Sequence, residues 1–349
     1  MTSMTTEILR RARELAPVLR ERAPEIEANR TLPAEVVELL RGTGVFGMCY
    51  GPEWGGPGLT SMEQTEVVEA LAYGDASAAW CAVIGANTGI YANFLDQTVA
   101  KEVFPRPDLV VAGLLQPSGR AERVPGGFRL SGRWSFGSGI KHADWVTSGA
   151  FIYDGGEPWA APGSKHRHDS RQFLVRREQV EVIDNWDTTG LCGSGSCDYT
   201  MTDVFVPEEH TYTFATPQGR PGPLTQPDSF TRAMCGVPLG VAREGVYGAM
   251  RRQWAVLAAG GTLDDLTPTE RAASPLSWLH AFRSARTIVA RTYDLLQTWS
   301  INRSSPMDRW LRDTTVLAQH LVAQDRILQS AGAYLLGAEP EFGISLGLV

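Results

Sequence analysis

Residues 126–145 read Gly-Gly-Phe-Arg-Leu-Ser-Gly-Arg-Trp-Ser-Phe-Gly-Ser-Gly-Ile-Lys-His-Ala-Asp-Trp. A Gly126-Gly127 turn opens an alternating run, Phe128, Leu130, Gly132 and Trp134. That two-residue period belongs to a strand with one face buried. The run then passes into Ser135, Gly137, Ser138 and Gly139, where missing side chains let a ligand come close to backbone N–H groups. Two readings of these residues stay open. One is an ordinary hairpin with a buried Trp134. The other is a seat for a flat, polar-edged ring, with the indole on one face and hydroxyls at its heteroatoms.

Outward from this stretch, short alternating runs at 110–115, 127–136, 146–152, 172–175, 180–183 and 198–204 are punctuated by Gly, Pro, Asp and Asn. They predict a β domain over 110–207. The chain before it is helical in pattern: Ile8, Leu15, Val18 and Leu19 repeat at helical spacing, as do Val36, Val37, Leu39 and Leu40. Residues 46–56 form a Gly/Pro loop, and helix returns over 61–81 with the small residues of Ala-Ser-Ala-Ala-Trp80-Cys81. A Pro/Gly/Thr-rich connection, 207–227, leads to two apolar stripes. The first is Leu279, Phe282, Val289, Tyr293, Leu296 and Trp299. The second is Trp310, Thr314, Leu317, Leu321, Leu328 and Leu335. They predict two long antiparallel helices joined through residues 302–306. The fold class is therefore α+β: an N-terminal helical domain (1–109), a central β barrel or sandwich (110–207) and a C-terminal four-helix-type bundle with its connecting loop (208–349).

Composition narrows the function classes. The 349 residues are 43% hydrophobic and 20% charged, enough for a sizeable core. A net charge of −7 argues against nucleic acid or an anionic membrane as partner. No apolar run is long enough to span a bilayer, and residues 1–30 have no apolar signal core. The five cysteines (49, 81, 192, 197, 235) include no C-x-x-C pair, and no histidine stands at ligand spacing beside them. A reduced cytoplasmic protein without a metal is expected.

Five segments resemble the acyl-CoA dehydrogenase superfamily, in order and at similar spacing. They are Phe46–Gly56, Leu115-Gln-Pro-Ser-Gly119, the opening 126–145 stretch, Gly190-Leu-Cys-Gly-Ser-Gly-Ser-Cys-Asp198, and Pro306-Met-Asp-Arg-Trp-Leu-Arg-Asp313 with His320. The opening stretch looks closest to the flavin-dependent monooxygenase branch, which includes aromatic hydroxylases, dibenzothiophene monooxygenases and amino-sugar N-oxygenases. The resemblance implies a flavin seat made of Gln116, Ser118, Trp134, Ser135, Phe136 and Ser138. In it Trp134 packs on the ring, Ser138 (or failing that Ser135) sits near N5, and Gln116 and Ser118 contact the pyrimidine edge or ribityl chain.

The two branches ask for different catalysts. Acyl-CoA dehydrogenases need a carboxylate base, in many of them about two and a half turns after the Arg-Asp pair. Counting on from Arg312-Asp313 gives Ala318-Gln319-His320-Leu321, with no carboxylate. The monooxygenase branch places a His in this neighbourhood. Asp313, Leu317, His320 and Gln324 would share one helical face; a lone His there is either a satisfied packing residue or a proton-transfer group. Some hydroxylases carry a second His where Asn87 stands here, so Asn87 is the remaining candidate catalytic position, able to donate and accept but not to titrate. His142 reads as structural, hydrogen-bonded to backbone. Neither an Arg-x-x-Phe-Gly element in 251–268 nor a G-x-G-x-x-G after a strand is present. By resemblance, then, this is the oxygenase component of a two-component monooxygenase. It would use reduced FMN or FAD from a separate NAD(P)H-dependent reductase, and O2, through a flavin C4a-(hydro)peroxide, to oxygenate a small aromatic or natural-product substrate. Homotetramers, or homodimers, are implied. The alternatives are an oxidase or dehydrogenase holding oxidised FAD, and a catalytically silent assembly subunit.

Overall fold

The computed structural model describes residues 3–226, 228–302 and 304–348. Pro227 and Arg303, which fall in the two connections read from sequence, lie outside the described residues. The chain divides into two compact units, 1–241 and 242–349.

The first unit opens with α1 (Ser3–Asn29) and α2 (Ala34–Thr43), the latter closed by Gly44 at φ 84°. Next come α3 (Ser61–Ala72), α4 (Ala76–Ala86), the single turn α5 (Thr88–Tyr91) and α6 (Gln97–Val103). Helix signals are local: Thr60 and Glu63 form a reciprocal capping box on α3, and Asp75 accepts from the Ala78 N–H to start α4. The helical run read over 61–81 is thus two helices, broken at Asp75. Ala78, Ala79, Ala82 and Ala86 of α4 are fully buried, so the small residues there permit close packing.

Among the described residues nine strands form one mixed sheet: β1 (Val111–Ala112), β2 (Gly119–Val124), β3 (Gly127–Gly137), β4 (Trp145–Asp154), β5 (Glu157–Pro158), β6 (Ser170–Arg176), β7 (Glu181–Ile183), β8 (Cys197–Pro207) and β9 (Thr211–Tyr212). The order is β7-β8-β3-β2-β4-β6-β9, with β1 and β5 also paired to β4. Strands β1 and β2 both run parallel to β4, β1 at Trp145–Val146 and β2 at 150–153. Between them residues 113–118 leave the sheet as a loop, so the strand read over 110–115 contracts to two residues. Phe128, Leu130 and Trp134 of β3 face the core while Arg129 and Arg133 face out. The alternation read from the opening stretch therefore holds through Trp134.

The second unit contains most of α7 (Gly236–Ala258), then α8 (Pro268–Leu295), α9 (Met307–Leu317) and α10 (Asp325–Leu335). A Thr267/Glu270 capping box with Pro268 at the first position starts α8, which packs against α9 and α10. Buried Arg271 of α8 pairs with Asp264 at 2.6 Å and donates to the Leu346 and Gly347 carbonyls. The second apolar stripe is not one helix. It breaks after Leu317, passes through a 3-10 turn at Leu321–Ala323 and resumes at Asp325.

Candidate functional site

The end of β3 is where the first unit departs from regular geometry. Pairing with β8 shifts register between Trp134 and Gly137, and Phe136 takes φ 61°, a left-handed conformation costing a non-glycine residue about 1–3 kcal/mol. The turn aims the Phe136 ring outward, 63% exposed, with its edge against Trp186 (centroids 6.3 Å, 82°). Trp186 in turn donates its Nε1–H to the Leu191 carbonyl at 3.1 Å.

Two residues on, Ser138 turns inward. Its Oγ accepts from Trp80 Nε1–H of α4 at 2.9 Å and lies 2.7 Å from Ser196 Oγ, itself 2.7 Å from Ser194 Oγ. The Gly139 N–H donates to the Ser194 carbonyl at 2.9 Å. The 135–139 turn is thereby pinned to the Gly190–Ser196 loop, and a small part of Ser138 (7%) stays open. Sequence reading saw the Gly-Ser-Gly-Ser motif only as part of a family-like segment and Trp80 only as the end of a helix. The signal that could have found them is the serine pair itself, which a tight turn does not require.

Trp134 does not wall a ligand. It is 1% exposed, stacked on Tyr199 (5.5 Å, 13°), and donates Nε1–H to the Gly149 carbonyl at 2.8 Å. Its benzo edge lies against Gly119 and Gly132; a Cβ on Gly119 would stand 2.2 Å from Trp134 Cζ2. No face is left for a flavin. Tyr199 shows what the indole supports instead: its hydroxyl accepts from the Leu114 N–H at 2.9 Å and bonds Ser148 Oγ at 2.8 Å, tying down the 113–118 loop. Gly149 must also be glycine, since a Cβ there would meet the Leu115 carbonyl oxygen at 2.2 Å. The loop carries Gln116 and Ser118 on its exposed side, and the Ser118 N–H donates to the Gly149 carbonyl at 3.1 Å.

Three other expectations change. Ser135 faces away from the core and hydrogen-bonds Asp198, whose carboxyl Arg133 at 2.7 Å holds below the ordinary range. Asn87 is 3% exposed and its Nδ2 donates to the Phe230 carbonyl at 3.1 Å, so it fastens 229–235 to α4 rather than presenting a polar group to substrate. The His142 ring makes no hydrogen bond to backbone: both ring nitrogens are buried without a partner among the described residues.

His142 makes a measurable prediction. Burial, with a smaller contribution from Arg41, lowers it to about 4. Above pH ~6.5 the ring is neutral in folded and unfolded chains alike. As pH falls below that, the unfolded chain binds a proton the fold refuses, so stability is lost until the pH passes about 4, roughly 3 kcal/mol in all. His142→Leu should flatten this acid limb, read from urea midpoints between pH 7 and 4.5. A parent protein with no loss over that range would contradict the assignment.

In the second unit, His320 lies past the end of α9 and caps the 3-10 turn, its Nδ1 accepting from the Val322 N–H at 3.4 Å. Its ring is exposed and lies parallel to Phe282 (6.4 Å, 9°). It therefore shares no helical face with Asp313. With Nδ1 an acceptor, the neutral ring carries its proton on Nε2, the nitrogen facing away from the cap.

A cavity of about 340 Å³ in the first unit is lined by Leu59, Met62, Asn93, Arg220, Pro223 and Leu224 among others. Among the described residues no cluster of His, Cys, Asp or Glu could hold a metal, and no helix is long and apolar enough to cross a membrane.

Two family models match: the acyl-CoA dehydrogenase N-terminal domain over residues 3–103 and the C-terminal domain over 230–325, together more than half of the chain. Indole-3-acetate monooxygenase of Pseudomonas putida is 27% identical, over 92% of this chain and 91% of that protein. The oxygenase component of the FADH2-dependent resorcinol hydroxylase of a Rhizobium species is 32% identical, over 59% of this chain and 50% of its own length. Among solved structures, XiaF from a Streptomyces species in complex with FADH2 and glycerol superposes with a TM-score of 0.63 at 22% identity, covering 97% of this chain and 96% of that one. The chain belongs to the acyl-CoA dehydrogenase superfamily, on its flavin-dependent monooxygenase branch.

Proposed function

We propose that this chain is the oxygenase component of a two-component monooxygenase. It takes reduced FMN or FAD from a separate NAD(P)H-dependent reductase and transfers one oxygen atom to a small organic substrate. The observation that carries the reading is the strained turn at 135–139, which exposes the Phe136 ring and pins the Ser138 hydroxyl to the Gly190–Ser196 loop. Those residues fit an isoalloxazine. Phe136 offers a flat apolar surface, Ser138 a single polar contact, and Gln116 and Ser118 exposed polar groups on the supported loop. When bound, reduced flavin supplies two electrons, so that one atom of O2 enters the substrate and the other leaves as water. The chain's own part is to position the ring, exclude water from it and move protons. His320 Nε2 is the proposed proton donor, and no carboxylate stands where dehydrogenases of the family place their base.

The relatives support the flavin and the reaction class: one is an FADH2-dependent hydroxylase and one solved structure holds FADH2. The 340 Å³ cavity, at the lower end of small-molecule sites, is the proposed substrate chamber. A cytoplasmic setting is consistent with five free cysteines. The second unit exposes Ile288, Leu295, Val316 and Leu336, each more than 60% open, and a homotetramer or homodimer would cover such a surface.

The test is direct. Purified protein should be colourless, bind reduced flavin anaerobically, and make product only with a reductase, NAD(P)H and O2. A yellow preparation retaining oxidised FAD would favour the oxidase or dehydrogenase alternative, and failure to bind either redox state would leave the assembly subunit. Light scattering should give the mass of a tetramer or dimer; a monomer at micromolar concentration would rule that part out.

A further inference from the structure

The cavity of about 340 Å³ in the first unit is walled largely by apolar groups, Leu59 and Leu224 among them. Its polar side chains divide by what already occupies them. Thr60 commits its hydroxyl to Glu63 in the capping box of α3, and Thr225 exchanges hydrogen bonds with the Gly222 backbone. Glu53 and Arg220 are exposed, one charge of each sign, and Ser61 is half-exposed. Water solvates such groups whether or not a ligand is present, so they discriminate weakly.

Asn93 differs from all of these. It lines the cavity and is only 3% exposed. Its Nδ2 donates to the Gly89 carbonyl at 3.0 Å. Its backbone carbonyl accepts from the Gln218 and Gly219 N–H groups, each at 2.8 Å. Its Oδ1 meets no donor among the described residues. Nor is that oxygen sealed in: the buried polar atoms left without a partner include Tyr50 Oη and Trp54 Nε1, but not Asn93 Oδ1. It therefore opens on the cavity that the residue lines. Gly219 keeps it open, because a Cβ there would stand 2.3 Å from Oδ1 and 3.0 Å from Cγ.

An amide oxygen has two lone pairs and no proton, so it can only accept. Covered by an apolar ligand, it would lose water and gain nothing, and that loss weakens binding. A ligand with an N–H or O–H at this point restores the hydrogen bond. We propose that Asn93 is a specificity-determining residue, whose Oδ1 selects small, mostly apolar molecules carrying one N–H or O–H over molecules of the same shape without it. The proposal rests on the reading of this cavity as the substrate chamber. The donor is held at Asn93 and the rest of the molecule lies on the apolar wall, which sets the substrate's orientation as well as its choice.

Indole and 1-benzothiophene are rings of nearly equal size, and only indole donates. Calorimetric titration of the purified full chain with each reads the selection. The ratio of indole to 1-benzothiophene affinity should fall about tenfold in Asn93→Leu, which removes the acceptor, and as far in Gly219→Ala, which covers it. The double variant should fall no further than either single one. Melting temperature reports folding, and Gly219→Ala decides the matter should Asn93→Leu fail to fold. A ratio unchanged in both variants overturns the proposal, as does a parent protein that binds neither ring at millimolar concentration. Should the ratio fall as expected while bound indole is neither oxygenated nor alters peroxide release from flavin-loaded enzyme, Asn93 keeps its role in binding and the cavity is not the substrate chamber.

Discussion

His320→Ala is expected to cut coupled product formation by about a hundredfold or more, the usual range for removing a positioned proton-transfer group, while melting temperature and reduced-flavin affinity remain those of the parent. The expectation of a normal fold comes from its surroundings. The ring is exposed, and its contacts are one long hydrogen bond to the Val322 N–H and the parallel Phe282 ring. Losing a cap of that length costs about 0.5–1 kcal/mol. The expectation of lost activity comes from the tautomer. With Nδ1 committed as an acceptor, Nε2 carries the proton of the neutral ring and faces away from the turn. His320→Gln separates donation from proton exchange, since an amide can donate near the Nε2 position but cannot give up its proton. It should bind substrate better than the alanine variant and turn over no faster. Unchanged turnover in His320→Ala would remove this residue from the mechanism.

Trp134→Ala should destabilise the protein by about 3–5 kcal/mol, the cost of deleting a large fully buried aromatic. The indole is 1% exposed, fills space kept by Gly119 and Gly132, stacks on Tyr199 and donates to Gly149. Tyr199 would lose its partner, and with it the anchor on the Leu114 N–H. Flavin affinity should therefore fall as well, through the 113–118 loop rather than through a lost contact. Urea denaturation without flavin checks the first claim. Reduced-flavin titration below the unfolding transition checks the second. A loss under 1 kcal/mol, with flavin affinity abolished, would restore Trp134 to the ligand surface.

The helices–sheet–helices order was legible because each kind of element writes its own period. The alternation Phe128, Leu130, Gly132, Trp134 placed β3 correctly, and Thr60, Asp75 and Thr267 mark helix starts that depend only on neighbours within three residues. Strand β2 was missed because Gly119–Val124 is exposed or polar at most positions and owes its pairing to β3 and β4. The stripe through Leu317 and Leu321 suggested one helix because periodicity does not register the break over residues 318–324. His320 sits in that break, so the face it was expected to share does not exist.

The site divides along the same line. Sequence by itself determined the family, the fold class and the residue types available at 135–139 and 320, because these depend on local pattern and on motifs held in order. Which of those residues could touch a ligand was decided only by the tertiary structure. Trp134 and Phe136 are two positions apart and would share a face on a regular strand, yet a register shift and one positive φ bury the first and expose the second. Ser135 was on paper the fallback for Ser138. Asp198 from β8 took the first, and Trp80 and Ser196, 58 residues away on either side, took the second. A hydrogen bond between residues so far apart leaves no period in the chain, and only folding brings its donor and acceptor together.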